Sequence, residues 1–208
     1  MNRAKNPNLQ ILELAVEHLG QLADKMVFLG GCATGLLIND KAAPPIRATR
    51  DVDVITELAS LADYYRLSDQ LRDLGFREDQ SAGAPICRWV TGGVILDVMP
   101  TKAEILGFSN QWYQQALASA QILELPSGRN IRMVTGPYFL ATKLEAFAGR
   151  GRGDFVTSHD MEDIVAVLDG RPGIVDEVRN SVSELVEFLS DRFAGLIEDR
   201  DFLAALPG

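Results

Sequence analysis

The sequence VFLGG at residues 27–31, followed by DVDVI at residues 51–55, decides the kind of fold that this chain adopts. Residues 27–29 are apolar, which predicts a short buried strand, and the two glycines lead into a segment of helical character. Side chains alternate faces along a strand, so Asp51 and Asp53 share one face while the valines between and after them enter the core. The pattern therefore predicts a strand, a glycine turn and a helix beside a second, half-buried strand.

The carboxylates of Asp51 and Asp53 lie about 7 Å apart along that strand face and repel each other unless a cation lies between them. Such oxygen ligands suit Mg²⁺, which takes one or two carboxylates and keeps its other positions for water and phosphate oxygens. Gly30 and Gly31 leave room for phosphate groups, and the N-terminus of the following helix favours negative charge. A phosphate-binding turn beside metal-binding carboxylates predicts phosphoryl or nucleotidyl transfer.

A third carboxylate lies in a predicted hairpin. Residues 86–91 and 94–99 are predicted strands, and the Gly92-Gly93 pair between them is typical of a tight turn. Asp97 interrupts the second, apolar strand, and because a buried unpaired charge is costly we predict that it binds a metal or lies in a hydrogen-bonded site. Each element alone is compatible with an ordinary turn or a solvated strand edge, whereas all three in order favour a functional site.

These motifs resemble those of the polymerase β-type nucleotidyltransferase superfamily, in which Gly-Gly or Gly-Ser follows an apolar residue and precedes Asp-x-Asp and a third carboxylate. The resemblance implies an α/β (α+β) fold with a mixed-sheet nucleotidyltransferase core and a helical C-terminal subdomain. It also implies that Asp51 and Asp53 hold Mg²⁺ against a nucleoside triphosphate, and that Asp97 holds a second metal ion and orients or deprotonates the acceptor hydroxyl. Cys32 stands where many relatives carry Ser.

A second group of polar residues lies in the C-terminal part, and we place the boundary between a core at 1–135 and a helical subdomain at 136–208. The group consists of a lysine on a predicted helix, two arginines in a glycine-rich loop and two aspartates that open the next helix: Lys143, Arg150, Arg152, Asp160 and Asp163. Ser158 is a good N-cap and acidic residues suit the first turn of a helix, so a capping role is one sufficient reason for Asp160 and Glu162. It does not explain Lys143 or the arginines.

This second group resembles the AbiEii/AbiGii-type nucleotidyltransferase toxins and their bacterial relatives, which share Lys-x-x-Ala on a helix, an Arg-containing loop and Asp-x-x-Asp. The matching segments here are KLEA at 143–146 and DMED at 160–163. The resemblance implies nucleotide binding and a role in activity for Lys143, which is then a catalytic residue, and for Asp160 or Asp163. It also implies a tRNA or protein acceptor, for which Arg150 and Arg152 are the candidate ligands, and a cognate antitoxin as a partner.

Composition limits the other function classes. The chain of 208 residues carries 20 basic and 29 acidic side chains, and its net charge of −9 disfavours broad electrostatic attachment to nucleic acid. No apolar run reaches the roughly 18 residues of a membrane span. Cys32 and Cys87 are too few for a disulfide scaffold and lack zinc-type spacing, and no apolar signal core precedes the first helix, so we expect a cytoplasmic protein.

Arg47 and Arg50 flank the acidic strand, and two roles stay open for them: charge partners of the aspartates, or contacts with a triphosphate. We predict a nucleotidyltransferase that transfers a nucleotide from an NTP to an acceptor, with Arg50 among the nucleotide-binding residues. The alternatives are transfer to a small molecule, as in aminoglycoside-modifying relatives, and a non-catalytic nucleotide-binding or interaction protein on the same fold. A P-loop kinase is disfavoured because no Gly-x-x-x-x-Gly-Lys-Ser/Thr is present.

Residues 175–197 are predicted to form one long amphipathic helix.

Overall fold

A seven-stranded mixed sheet forms the centre of the computed structural model, which describes residues 6–150 and 153–206. Its strands are β1 (Met26–Leu29), β2 (Asp51–Thr56), β3 (Arg77–Glu78), β4 (Arg88–Thr91), β5 (Val94–Pro100), β6 (Gln121–Glu124) and β7 (Asn130–Met133). They lie in the order β3-β4-β5-β2-β1-β7-β6. The β1–β7 and β2–β5 pairs are parallel and the other pairs are antiparallel.

The helices of the described residues fall before, between and after these strands. In the N-terminal part they are α1 (Leu9–Leu19), which continues as a 3₁₀ turn (Gly20–Lys25), α2 (Gly30–Leu37), α3 (Leu61–Asp73), α4 (Ala103–Leu106) and α5 (Tyr113–Ala118). In the C-terminal part they are α6 (Gly136–Arg150), α7 (His159–Gly170), α8 (Ile174–Arg179), α9 (Ser183–Glu198) and α10 (Arg200–Ala205). The predicted α/β fold, a mixed sheet followed by helices, is confirmed.

The two strands that the opening motif predicts lie side by side at the middle of the sheet. All four residues of β1 are buried, as a strand between two others and under helices requires. Along β2 the burial alternates as predicted: Val52 and Val54 are fully buried, while Asp51 and Asp53 are half-buried on the opposite face. The alternation turns both carboxylates to the same side of the sheet.

The predicted hairpin at Gly92-Gly93 is confirmed, and both glycines adopt positive φ, 43° and 88°, which side-chain-bearing residues rarely do. It joins β4 to β5 with Thr91 opposite Val94, so the pairing continues to Arg88 opposite Asp97. The turn therefore sets which residue of β4 lies beside the third carboxylate.

The C-terminal helices share one apolar core with the sheet; for example Phe139 of α6 and Phe28 of β1 are both fully buried in it. The prediction of one helix over 175–197 is wrong, because α8 ends at Arg179 and α9 begins at Ser183. Side chains of Asn180 and Ser181 donate hydrogen bonds to the carbonyl groups four residues earlier, and such bonds compete with helix continuation. Within the described residues no helix has the length and apolarity that a membrane crossing requires.

Candidate functional site

Strand register brings the three predicted carboxylates together. Asp53 on β2 lies directly opposite Asp97 on its parallel neighbour β5, and on its other side it faces Leu29, the last residue of β1. Asp51 lies two residues earlier on the same face of β2. All three line a cavity of about 630 Å³. Residues that are far apart in the chain thus meet where β1 ends and α2 begins.

The two glycines make room for protein groups at this point. Gly30 has a φ of +69°, and a Cβ atom there would overlap the carboxylate of Asp53. A Cβ atom on Gly31 would meet the Nη2 atom of Arg47 at 2.5 Å. The space beside Gly30 is therefore filled by the aspartate, whereas Gly31 lines the cavity itself. Both glycines open helix α2, whose N-terminus carries the positive end of the helix dipole.

The carboxyl group of Asp53 has a strongly raised pKa. Its burial, followed by repulsion from the carboxylate of Asp51, raises its pKa to about 7, and Asp97 acts in the same direction. The positive charges of Lys143 and Arg150 offset only part of this rise. Because burial and neighbouring carboxylates both raise this pKa, a cation bound beside Asp53 would lower it and favour the ionised form.

Arg88 belongs to this site although no motif in the sequence predicts it. Its Nε donates to Asp97 Oδ1 at 2.8 Å, and its Nη2 donates to Asp97 Oδ2 at 2.7 Å and to Asp51 Oδ2 at 3.2 Å. The hydrogen bond to Asp97 raises the pKa of Arg88 further above its already high ordinary value. The hairpin could have revealed it, because a two-residue turn at Gly92-Gly93 pairs position 88 with position 97.

Lys143 and the two aspartates of α7 form a buried ion-pair network. The Nζ atom of Lys143 donates to Asp163 Oδ2 at 2.7 Å and to Asp160 Oδ1 at 3.0 Å, and only 7% of Lys143 is exposed. Burial lowers the pKa of Lys143, but the negative charges of Asp163 and Asp160 outweigh it, so the net pKa is raised and the amine stays protonated. Two arginines complete the network.

Those arginines lie at the two ends of the network. Arg47 donates to Asp163 from Nε and Nη2, at 3.1 and 2.8 Å. Arg150 donates to Asp160 in the same two-point manner, at 2.9 and 3.0 Å. Three cations thus share two carboxylates, so this network carries one net positive charge. The loop before β2 supplies Arg47, so this loop is tied to helix α7.

The other predicted residues take different positions. Asp160, Lys143 and Arg150 line the cavity, whereas Asp163 is 1% exposed and lies behind Lys143. Arg50 is exposed and does not line the cavity, because neighbouring residues of an extended segment point to opposite sides and Asp51 takes the inner one. Of the two flanking arginines it is Arg47 that enters the site. Arg152 lies outside the described residues.

The donor types fit a hard divalent cation, since the carboxylates of Asp51, Asp53 and Asp97 line one cavity and carboxylate oxygens are ligands that Mg²⁺ prefers. The arrangement is not preformed: within residues 6–150 and 153–206 no three side chains of the ligand types converge on one metal position. Asp51 and Asp97 are instead bonded to Arg88.

Solved structures share this fold. An antigenic nucleotidyltransferase-like protein from Paracoccidioides brasiliensis superimposes with a TM-score of 0.59 at 21% identity, over 96% of this chain and 91% of that one. The antibiotic-resistance factor ANT(2'')-Ia superimposes with a TM-score of 0.53 at 14% identity, over 93% of this chain and 97% of that one. No family model and no curated protein matches the sequence. At such identities the likeness shows the fold, which is that of nucleotidyltransferase-like proteins.

Proposed function

We propose that this protein is a Mg²⁺-dependent nucleotidyltransferase that moves a nucleotide from an NTP to an acceptor and releases pyrophosphate. The observation that carries the proposal is the strand register that sets Asp53 beside Asp97 at the start of α2, in one cavity with Lys143. The likeness of the fold to a nucleotidyltransferase-like protein supports it.

In this proposal Asp51, Asp53 and Asp97 are the metal ligands. Bound Mg²⁺ supplies charge neutralisation at the phosphates and polarises the reacting oxygens. Asp97 also orients the acceptor hydroxyl and takes up its proton. The hydroxyl oxygen bonds to the α-phosphorus of the NTP while the bond from that phosphorus to the bridging oxygen breaks, and pyrophosphate leaves with the bonding electron pair.

Of the remaining predicted residues, those that line the cavity bind the nucleotide. The cavity lining favours Gly31, Lys143 and Asp160 over Gly30, Arg50 and Asp163, which do not line it. The protonated Lys143 neutralises charge that develops on the phosphates, and Asp160 holds the lysine in place. Backbone N–H groups at the N-terminus of α2 donate hydrogen bonds to the phosphate oxygens.

The acceptor is a tRNA or a protein if the chain acts as the AbiEii-type toxins do, and a cognate antitoxin is then a further partner. One observation favours a second candidate, a small hydroxylated molecule. Polyanion binding needs cations that are free to neutralise phosphates, yet Arg150 is bonded at two points to Asp160 and the chain carries a net charge of −9.

The test is incubation of the protein with each α-labelled NTP and Mg²⁺, with pyrophosphate release and label transfer followed to total tRNA, total cell protein and a set of aminoglycosides. Asp53→Asn is the inactive control. If RNA is the acceptor, Arg150→Ala with Arg152→Ala should reduce RNA labelling far more than NTP binding. Pyrophosphate release from none of the four NTPs with any acceptor would refute the proposal and leave a non-catalytic binding protein.

A further inference from the structure

One guanidinium group bridges two of the three carboxylates that we propose as metal ligands. Arg88 lies directly opposite Asp97 in the antiparallel β4–β5 pair, so both side chains lie on one face of the sheet. It bonds both oxygens of Asp97, and its Nη2 atom also reaches Asp51. Both carboxylates therefore already accept hydrogen bonds from a positively charged side chain of the protein itself.

A divalent cation that binds Asp97 needs an oxygen atom that Arg88 already bonds. At Asp51, Arg88 bonds Oδ2 and the hydroxyl of Thr49 donates to Oδ1 at 2.6 Å, so neither oxygen is without a partner. Mg²⁺ coordinates oxygen at about 2.0–2.1 Å, closer than a guanidinium nitrogen approaches. Arginine cannot lose its proton to remove the conflict, and two cations on one carboxylate repel each other strongly when they are half-buried. Metal and Arg88 thus compete for Asp51 and Asp97.

The other cations that line the cavity are not in this position. Arg47, Lys143 and Arg150 are bonded to the aspartates of α7, which lie outside the carboxylate set on the sheet. Arg88 itself lines the cavity, its side chain is 22% exposed, and a planar guanidinium group binds phosphate oxygens at two points. Among the described residues that line the cavity, it is the cation that metal binding would release.

We propose that Arg88 is an internal counter-cation, which holds Asp51 and Asp97 in the metal-free protein, gives them up when a divalent cation binds, and then binds the triphosphate. This inference rests on the proposed metal-dependent transfer and adds a coupling between metal loading and nucleotide binding. Arg88 neutralises one of the two negative charges of Asp51 and Asp97 in the metal-free state, whereas a divalent cation neutralises both and so no longer needs the arginine.

The test is the Mn²⁺ dissociation constant of the full chain without nucleotide, measured by titration calorimetry for wild type, Arg88→Gln and Arg88→Lys. Loss of the competing charge in Arg88→Gln should tighten Mn²⁺ binding by about 5- to 150-fold, the usual range for coupling between two ligands. Arg88→Lys keeps the charge but loses the two-point fork, so it should tighten binding less. With Mn²⁺ saturating, Arg88→Gln should bind a non-hydrolysable NTP analogue more weakly than wild type does.

Arg72→Gln is the matched control, because Arg72 is also bonded to two carboxylates, those of Asp69 and Glu78, but lies outside the cavity lining. It should leave Mn²⁺ affinity unchanged. Circular dichroism in EDTA checks the fold of each variant, and if Arg88→Gln does not fold, Arg88→Lys decides the question.

The outcomes separate this inference from the proposed function. If a folded Arg88 variant binds Mn²⁺ no more tightly than wild type does, the counter-cation role of Arg88 is overturned. The metal site itself is still supported if wild type binds Mn²⁺ and Asp53→Asn abolishes that binding. If wild type binds no Mn²⁺, the counter-cation and the metal-dependent function both fall. If Arg88→Gln raises the affinity for Mn²⁺ but does not lower the affinity for the NTP analogue, the movement of Arg88 to the triphosphate is refuted.

Discussion

Replacement of Asp53 by Asn should stabilise the metal-free protein while it abolishes nucleotide transfer. In the folded chain burial and the charge of Asp51 raise the pKa of Asp53 from an ordinary value of 3.8 to about 7. Below about pH 4 the group is neutral in both folded and unfolded chains. Between pH 4 and 7 the unfolded chain loses the proton that the folded chain keeps, so the stability contributed by this group falls as pH rises and is fully lost above the folded pKa.

The size of the effect follows from the shift. A rise of about three pKa units corresponds to at most about 4 kcal/mol above pH 7, at about 1.4 kcal/mol per unit. Asparagine has the same shape and no charge, so Asp53→Asn avoids that penalty at every pH. For a chain of this size the melting temperature at pH 8 should rise by up to about 8–16 °C, and the gain should vanish near pH 4.

The assay is thermal unfolding in EDTA at several pH values from 4 to 8, followed by circular dichroism. Asp97→Asn is the matched control: it also removes a carboxylate of the set, but it weakens the two-point bond from Arg88 and should lower the melting temperature. If Asp53→Asn has the same melting temperature as wild type at pH 8, or if its increase in melting temperature does not depend on pH, the charge of Asp53 does not destabilise the folded protein.

Two other substitutions test the neighbouring groups. Lys143→Ala should lower the rate of transfer by about tenfold or more at saturating acceptor, because it removes the charge that faces the phosphates; a rate within twofold of wild type, in protein shown to be folded by circular dichroism, would contradict this role. Gly30→Ala should destabilise the chain more than Gly128→Ala in urea unfolding, since both glycines have positive φ but only at Gly30 would a Cβ atom overlap Asp53. Equal losses of unfolding free energy would show that backbone strain alone accounts for Gly30.

The buried network around Lys143 explains why the C-terminal helices belong to the site. Asp163 accepts hydrogen bonds from Lys143 of α6 and from Arg47 of the loop before β2, so one carboxylate joins three separate segments. Removing one partner of a buried ion pair leaves an uncompensated charge, which usually costs about 3–5 kcal/mol. The lysine is therefore held at a defined place in the cavity wall by residues that are distant in sequence.

Local pattern alone was enough to predict the elements that carry the three aspartates. The alternation of charged and apolar residues in β2 predicts that Asp51 and Asp53 share one face, and the glycine pair at 92–93 predicts the hairpin that carries Asp97. Both predictions rest on short-range rules, the two-residue period of a strand and the positive φ of a tight turn. Such rules need no knowledge of the rest of the chain.

The strands, the turns and the face on which each acidic side chain of β2 lies thus follow from local sequence. The partners of these side chains depend on long-range packing: Arg47 donates to Asp163 across 116 positions of sequence, and the space beside Gly30 holds the carboxylate of Asp53. The break between α8 and α9 was also hidden in the apolar periodicity, which continues through it. The physical reason is that periodicity reports which side of an element is buried, whereas ion-pair partners depend on how separate elements pack against each other.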